Sequence, residues 1–169
     1  MEIHLIRHTS VKDVEGICYG QSDVSLFDNY QLAFDAIEIQ NYDAIYSSPL
    51  SRCTILAQHF SPTFYTDQRL LEMNFGAWEL KKWDDICGHE FKIWEENYIT
   101  QGPPQGESVN EMLDRVLHFF KEINQLHLGK KVLIVTHSGV IKLILNHLQK
   151  NPVSKMFAIK IGYGEQVIV

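Results

Sequence analysis

Apolar residues along this chain fall into short continuous runs that alternate with stretches of helical period. Ile3 to Arg7 is a run of strand length ending on two polar residues, which predicts a buried, central, parallel strand. A glycine-containing loop follows through Gly16 to Asp23. Asp28 is then placed to cap a helix carrying Leu32, Ala33, Phe34, Ala36 and Ile37. Ala44-Ile45-Tyr46 predicts a second strand. Ser48 and Pro49 predict a helix start, as N-cap and first helical residue, with Leu50, Cys53, Leu56, Ala57 and Phe60 on its apolar face. Phe64-Tyr65-Thr66 predicts a short third strand.

Further along, Ser108 and Glu111 have capping-box spacing, and Met112, Leu113, Val116, Leu117, Phe120 and Ile123 form one stripe of a long helix that ends near Gly129. Val132 to Val135 is the clearest buried strand. Thr136-His137-Ser138-Gly139 predicts a tight strand-to-helix turn, and Val140 to Leu148 the helix. Phe157 to Ile161 and Gln166 to Val169 read as two last strands joined around Gly162-Tyr163-Gly164. Alternating strands and helices give an α/β fold, a mostly parallel sheet with helices on both faces. The chain reads as a single domain over residues 1–169. Residues 76–107 read as a short helical cap insertion over the sheet. They hold all three tryptophans, Trp78, Trp83 and Trp94, and carry seven acids against three lysines.

Charge and composition narrow the function. Fifteen basic against twenty-one acidic residues leave a net charge of −6, which disfavours nucleic acid and anionic membranes as partners. No apolar run approaches the ~20 residues of a membrane span, and Met1 to His8 lacks the pattern of a signal peptide. Cys18, Cys53 and Cys87 form no CxxC pair, as expected of small core residues in a reduced, cytoplasmic protein.

In open parallel sheets ligands bind beyond the carboxyl ends of the strands. That rule selects Arg7-His8 after the first strand and His137-Ser138-Gly139 after the clearest one. Arg52, one turn into the second helix, reaches the same edge, and Glu72 follows the third strand. Two imidazoles, two guanidiniums and a carboxyl group suit phosphoryl transfer without a metal. Guanidiniums match phosphate oxygens bidentately, and a helix N-terminus after His137 adds N–H donors. One neutral imidazole attacks phosphorus while the other stabilises the transferring group, and a carboxylic acid protonates the leaving alkoxide. Glu79 and Glu107 are alternatives to Glu72 as that acid. The other histidines, His4, His59, His89, His118, His127 and His147, have no zinc-site spacing, so no metal site is expected.

At these residues the chain resembles the histidine phosphatase, or phosphoglycerate-mutase-like, superfamily. Leu5-Ile6-Arg7-His8-Thr9 resembles its Arg-His-Gly motif, and Ser47-Ser48-Pro49-Leu50-Ser51-Arg52-Cys53 its second arginine motif. Leu71-Glu72-Met73-Asn74-Phe75-Gly76 resembles its acid motif, Gly106-Glu107-Ser108 the start of its long helix, and Val135 to Ile141 its second histidine motif. The resemblance implies His8 as the nucleophile that becomes phosphohistidine, Arg7, Arg52, His137 and Ser138 around the phosphoryl group, and Glu72 as proton donor, with no metal or organic cofactor. Thr9 and Ser10 depart from the usual Gly-Glu, Val14 from a common asparagine and Ser138 from a common glycine. Arg7 to Val11 together with Cys18 to Asp23 resemble the alpha-ribazole phosphatase branch. That resemblance implies Tyr19, Gly20 and Gln21 as substrate contacts, a small phosphomonoester as partner, and removal of the 5′-phosphate of alpha-ribazole phosphate in cobalamin synthesis. A different phosphomonoester, a protein phosphohistidine, or an inactive binding module on the same fold are the other readings.

Overall fold

The structure, a computed structural model, describes residues 1–86 and 88–169; Cys87, expected in the core, lies outside them. The elements in chain order are β1 (Glu2–Arg7), β2 (Ile17–Cys18), α1 (Tyr30–Asp35), β3 (Ala44–Ser47), α2 (Ser51–Phe60), β4 (Tyr65–Thr66), β5 (Lys81–Lys82), α3 (Trp83–Ile86), α4 (His89–Asn97), α5 (Val109–Leu126), β6 (Lys131–Thr136), α6 (Ser138–Leu148) and β7 (Gln166–Ile168). The main sheet has the order β4-β3-β6-β1-β7, parallel except for β7, and β2 pairs with β5 in a small separate ribbon.

Strand alternation sorts the core into two layers. Ile3, Leu5, Val132 and Ile134 pack with α5 and α6, while Ile6, Ile45, Leu133 and Val135 pack with α2 and Phe34 of α1. Each such side chain stabilises the fold by roughly 1.5–3 kcal/mol when fully buried. The register sets Arg7 beside Thr136 and Ser47 beside Val135, so the residues after β1, β6 and β3 emerge together at one edge. The capping box at Ser108 is present, with Glu111 N–H on the serine hydroxyl at 3.3 Å and Ser108 N–H on the Glu111 carboxylate at 2.7 Å. No helix among the described residues is long and apolar enough to cross a membrane.

Several elements differ from expectation. Asp28 does not cap α1; it pairs with Lys12 at 2.6 Å, the N-cap is Asn29, and Phe34 is the helix's buried residue. The second helix starts at Ser51 rather than Pro49, because Asp23 reaches across the loop and accepts from both the Ser51 N–H and its hydroxyl. In α5, Phe119 is fully buried and Phe120 only partly, a shift of one position in the stripe. Residues 157–161 form no strand. Val153–Ala158 is a 3₁₀ helix that buries Met156 in the core, and the outer edge of β7 is left without a partner strand among the described residues. Within 76–107, Trp78 and Trp94 pack into an aromatic cluster with Phe75, Phe91 and Ile86.

Candidate active site

The turn after β1 buries His8, and its Nδ1 lies 2.7 Å from the Thr9 carbonyl. A carbonyl oxygen only accepts, so Nδ1 carries the hydrogen and Nε2 keeps its lone pair. Burial, then the charge of Arg52 and more weakly that of Arg7, pushes the His8 pKa down to about 3. The ring is therefore neutral at ordinary pH. His137 caps α6, is fully buried, and stands 5.2 Å from His8 between ring centroids. Burial, followed by His8 and Arg52, holds it well below the usual histidine range. Its Nε2 lies 2.7 Å from the Ser48 hydroxyl, and Cys53 Sγ lies 3.6 Å from the same nitrogen. Burial pushes the Cys53 thiol up, so it stays protonated.

Both expected arginines are anchored beside these rings. Arg52, in the first turn of α2, is fully buried and donates to the carbonyls of Ser22 and Gly20, each at 2.7 Å. Arg7 donates to the Ile161 carbonyl at 2.7 Å, and its guanidinium lies 3.7 Å over the Tyr163 ring. Each retains a buried Nε–H with no protein partner, and the buried Thr9 hydroxyl is unpartnered too. Unpaired buried donors on two cations are costly unless an anion meets them.

Glu72 faces the N-terminus of α6. Its carboxylate accepts from Met73 N–H at 2.9 Å and Gly139 N–H at 3.1 Å. Arg115 of α5 fixes the segment by donating to the carbonyls of Arg69, Leu71 and Glu72. The two alternative acids are engaged elsewhere. Glu107 is clamped by Arg115 through both oxygens, at 2.6 and 2.9 Å. Glu79 accepts from Gln21 N–H, Phe75 N–H and the Ser22 hydroxyl.

A cavity of about 220 Å³ opens beside Glu72, bordered by Tyr19, Gly20, Ser138 and Gly139 among others. Gln21 does not border the cavity; its side-chain amide donates to the Glu72 carbonyl at 2.8 Å. Gly20 has φ +36°, and a β-carbon there would crowd the Met73 carbonyl at 2.8 Å, so the close crossing needs glycine. Of the tryptophans, only Trp83 borders the cavity. Among the described residues, no cluster of His, Cys, Asp and Glu is arranged to hold a metal ion.

Sequence reasoning missed three neighbours. Ser48 holds His137 rather than capping a helix. Tyr163 covers Arg7, and its hydroxyl lies 3.2 Å from that of Tyr19; no local pattern signals a contact 156 positions away. Lys142 borders the cavity, and the signal was there: it is the lone charge in Val140 to Leu148.

Comparisons with known proteins give the chain its family. A Hydrogenobacter thermophilus protein, provisionally named a phosphoserine phosphatase, is 32% identical over 155 residues, covering 85% of this chain and 76% of its own. The adenosylcobalamin/alpha-ribazole phosphatase of Escherichia coli is 23% identical over 180 residues, covering 97% and 87%. The crystal structure of the alpha-ribazole phosphatase from Shigella flexneri superposes with a TM-score of 0.88 at 23% identity, covering 99% of this chain and 89% of that one. The sequence pattern of the histidine phosphatase superfamily (branch 1) matches residues 3–169, and the chain belongs to that superfamily.

Proposed function

We propose that this chain hydrolyses small phosphomonoesters through a phosphohistidine on His8, without a metal, and that its substrate is alpha-ribazole 5′-phosphate. The observation that carries the reaction is a pair of guanidiniums, Arg52 fully buried and Arg7 half-buried, whose buried Nε–H groups are unpaired beside two buried, neutral imidazoles. The family supports phosphate-ester chemistry. The relatives' names range over alpha-ribazole phosphate and phosphoserine, so they support the reaction more than the leaving group.

In the proposed mechanism Arg7, Arg52, His137 and the α6 N-terminus at Ser138 hold the phosphoryl oxygens. His8 Nε2 attacks phosphorus and the P–O bond to the alcohol breaks. The departing oxygen takes a proton from Glu72. Water then attacks the phosphohistidine, giving its proton to the Glu72 carboxylate, and phosphate leaves. His8 enters neutral because burial and two cations remove its proton, so no deprotonation precedes attack. The alpha-ribazole assignment rests on the motif resemblance and on the aromatic wall of Tyr19, Phe75, Trp83 and Phe157, which suits a flat base. The two buried thiols, Cys18 and Cys53, fit the cytoplasm.

The test is quenched turnover of wild type and His8→Ala. Acid-labile, base-stable phosphoryl on the wild type, and none on the folded variant, is the expected result. Near-wild-type turnover by His8→Ala overturns the assignment. For the substrate, kcat/KM for alpha-ribazole phosphate should exceed that for 3-phosphoglycerate, a sugar phosphate and a phosphohistidine peptide by well over tenfold, which is only about 1.4 kcal/mol.

A further inference from the structure

We propose that Tyr163 is a positioning residue for the phosphoryl site: its ring fixes the plane of the Arg7 guanidinium for the phosphate while leaving the arginine's charge uncompensated. The inference rests on the reading that Arg7 holds the phosphoryl group.

A carboxylate holds an arginine firmly, but it also neutralises the guanidinium and competes with an incoming phosphate. Among the described residues no carboxylate lies within ion-pair distance of Arg7 or Arg52. Neutral groups hold both. Arg52 donates to two carbonyls, and its guanidinium lies 5.2 Å from the centre of the Tyr19 ring. Arg7 has one carbonyl, that of Ile161 on Nη1, and the Tyr163 ring at 3.7 Å. A single carbonyl fixes one corner of a guanidinium and leaves its plane free to turn. The π face attracts the cation flat against it and removes that freedom. The buried Nε–H of Arg7 is then left for an anion.

Tyr163 is itself held at both ends. Its backbone lies in the turn leading into β7, where Arg7 N–H donates to the Glu165 carbonyl at 3.1 Å and Gly164 N–H to the Arg7 carbonyl at 3.2 Å. Its hydroxyl meets that of Tyr19 at 3.2 Å, so the two rings that face the two guanidiniums brace each other. The Tyr163 ring centre is also 5.7 Å from that of His8, beside the nucleophile. The side chain is 45% exposed, so core packing does not account for an aromatic ring here.

The experiment measures competitive inhibition by inorganic phosphate, and kcat/KM on an alkyl and an aryl phosphate. The variants are Tyr163→Phe, Tyr163→Leu, Arg7→Met and the double variant Arg7→Met/Tyr163→Leu. An inhibition constant does not depend on the folded fraction. Arg7→Met should raise the phosphate Ki. Tyr163→Leu removes the π face and should raise Ki and lower kcat/KM by ~3- to 30-fold, the scale of one cation–π contact. Its loss should be equal on the two esters, because Arg7 acts on the phosphoryl group and not on the leaving oxygen. Tyr163→Phe keeps the ring and should keep most of the phosphate affinity. In the Arg7→Met background Tyr163→Leu should change Ki by less than ~2-fold, since the group it orients is gone. A wild-type Ki in Tyr163→Leu, or the same rise in both backgrounds, overturns the proposal. An unchanged Ki in Arg7→Met would sink the reading of the phosphoryl site and this proposal with it; a raised Ki in Arg7→Met beside an unchanged one in Tyr163→Leu sinks only this proposal.

Discussion

Gly139→Ala separates catalysis from stability at a single atom. A β-carbon at this position would lie inside the van der Waals shell of Glu72 Oε1, 3.2 Å from its Cδ and 3.1 Å from Met112 Cε. All are ends of flexible side chains, so the backbone stays and the carboxylate retreats by roughly 1 Å. Two effects on stability oppose each other. Alanine in a helix gains up to about 1 kcal/mol over glycine. The Gly139 N–H bond to Glu72 weakens, at ~1.5–3 kcal/mol for a charged acceptor, less what the Met73 N–H retains. The net change should stay within about 2 kcal/mol, a Tm shift of a few degrees at this size. Chemistry has no such compensation. A proton donor displaced by ~1 Å costs on the order of 10²-fold, or about 2.7 kcal/mol of barrier. The loss should appear on an alkyl phosphate, whose alkoxide must be protonated, and shrink to a few-fold on an activated aryl phosphate. Glu72→Gln should give the same pattern with ~10²–10⁴-fold on the alkyl ester. The assay is kcat/KM on both esters alongside a thermal melt. Full alkyl activity in Gly139→Ala, or equal losses on both esters, would refute Glu72 as the donor from this position.

The remaining expectations are briefer. Glu107→Gln should cost about 2–3 kcal/mol in urea unfolding, because its side chain is 15% exposed and that of its partner Arg115 19%; the alkyl-to-aryl ratio should not move, and a selective alkyl loss would hand Glu107 the acid role. Ring NMR should show His8 titrating near pH 3 and His137 well below the usual histidine range; a midpoint near 6.5 for either contradicts their burial. By linkage, the unfolded chain binds protons on these rings below about pH 6.5 while the folded chain does not, so their contribution is complete above 6.5 and is lost as pH falls toward 3. Unfolding midpoints at pH 7.5 and 4.5 should differ in that sense. Activity should survive a strong chelator; a large loss restored by Mg²⁺ or Zn²⁺ would remove the metal-free mechanism.

Local sequence determined what depends on near neighbours. The buried runs at Ile3 to Ile6 and Val132 to Val135, the Ser108–Glu111 capping box, and the placement of Arg7 at, and of His8 and His137 just past, strand ends all follow from patterns a few residues long. Because β1, β6 and β3 are adjacent and in register, those strand-end residues had to meet. What the sequence left open was decided by competition among distant groups. Ser48 had a local role available as N-cap, yet His137, 89 positions on, took its hydroxyl. Asp28 met Lys12, and Asp23 capped a helix 28 positions away. Glu72, Glu79 and Glu107 look alike in the chain. The tertiary structure bound Glu79 to a loop and Glu107 to Arg115, leaving Glu72 at the α6 N-terminus. The strand expected at 157–161 did not form: the outer edge of β7 stays unpaired among the described residues, and the preceding Val153–Ala158 winds into a 3₁₀ helix that buries Met156 in the core beside α6. Local propensity proposes partners; which of them a polar group keeps depends on which burial leaves within hydrogen-bond reach.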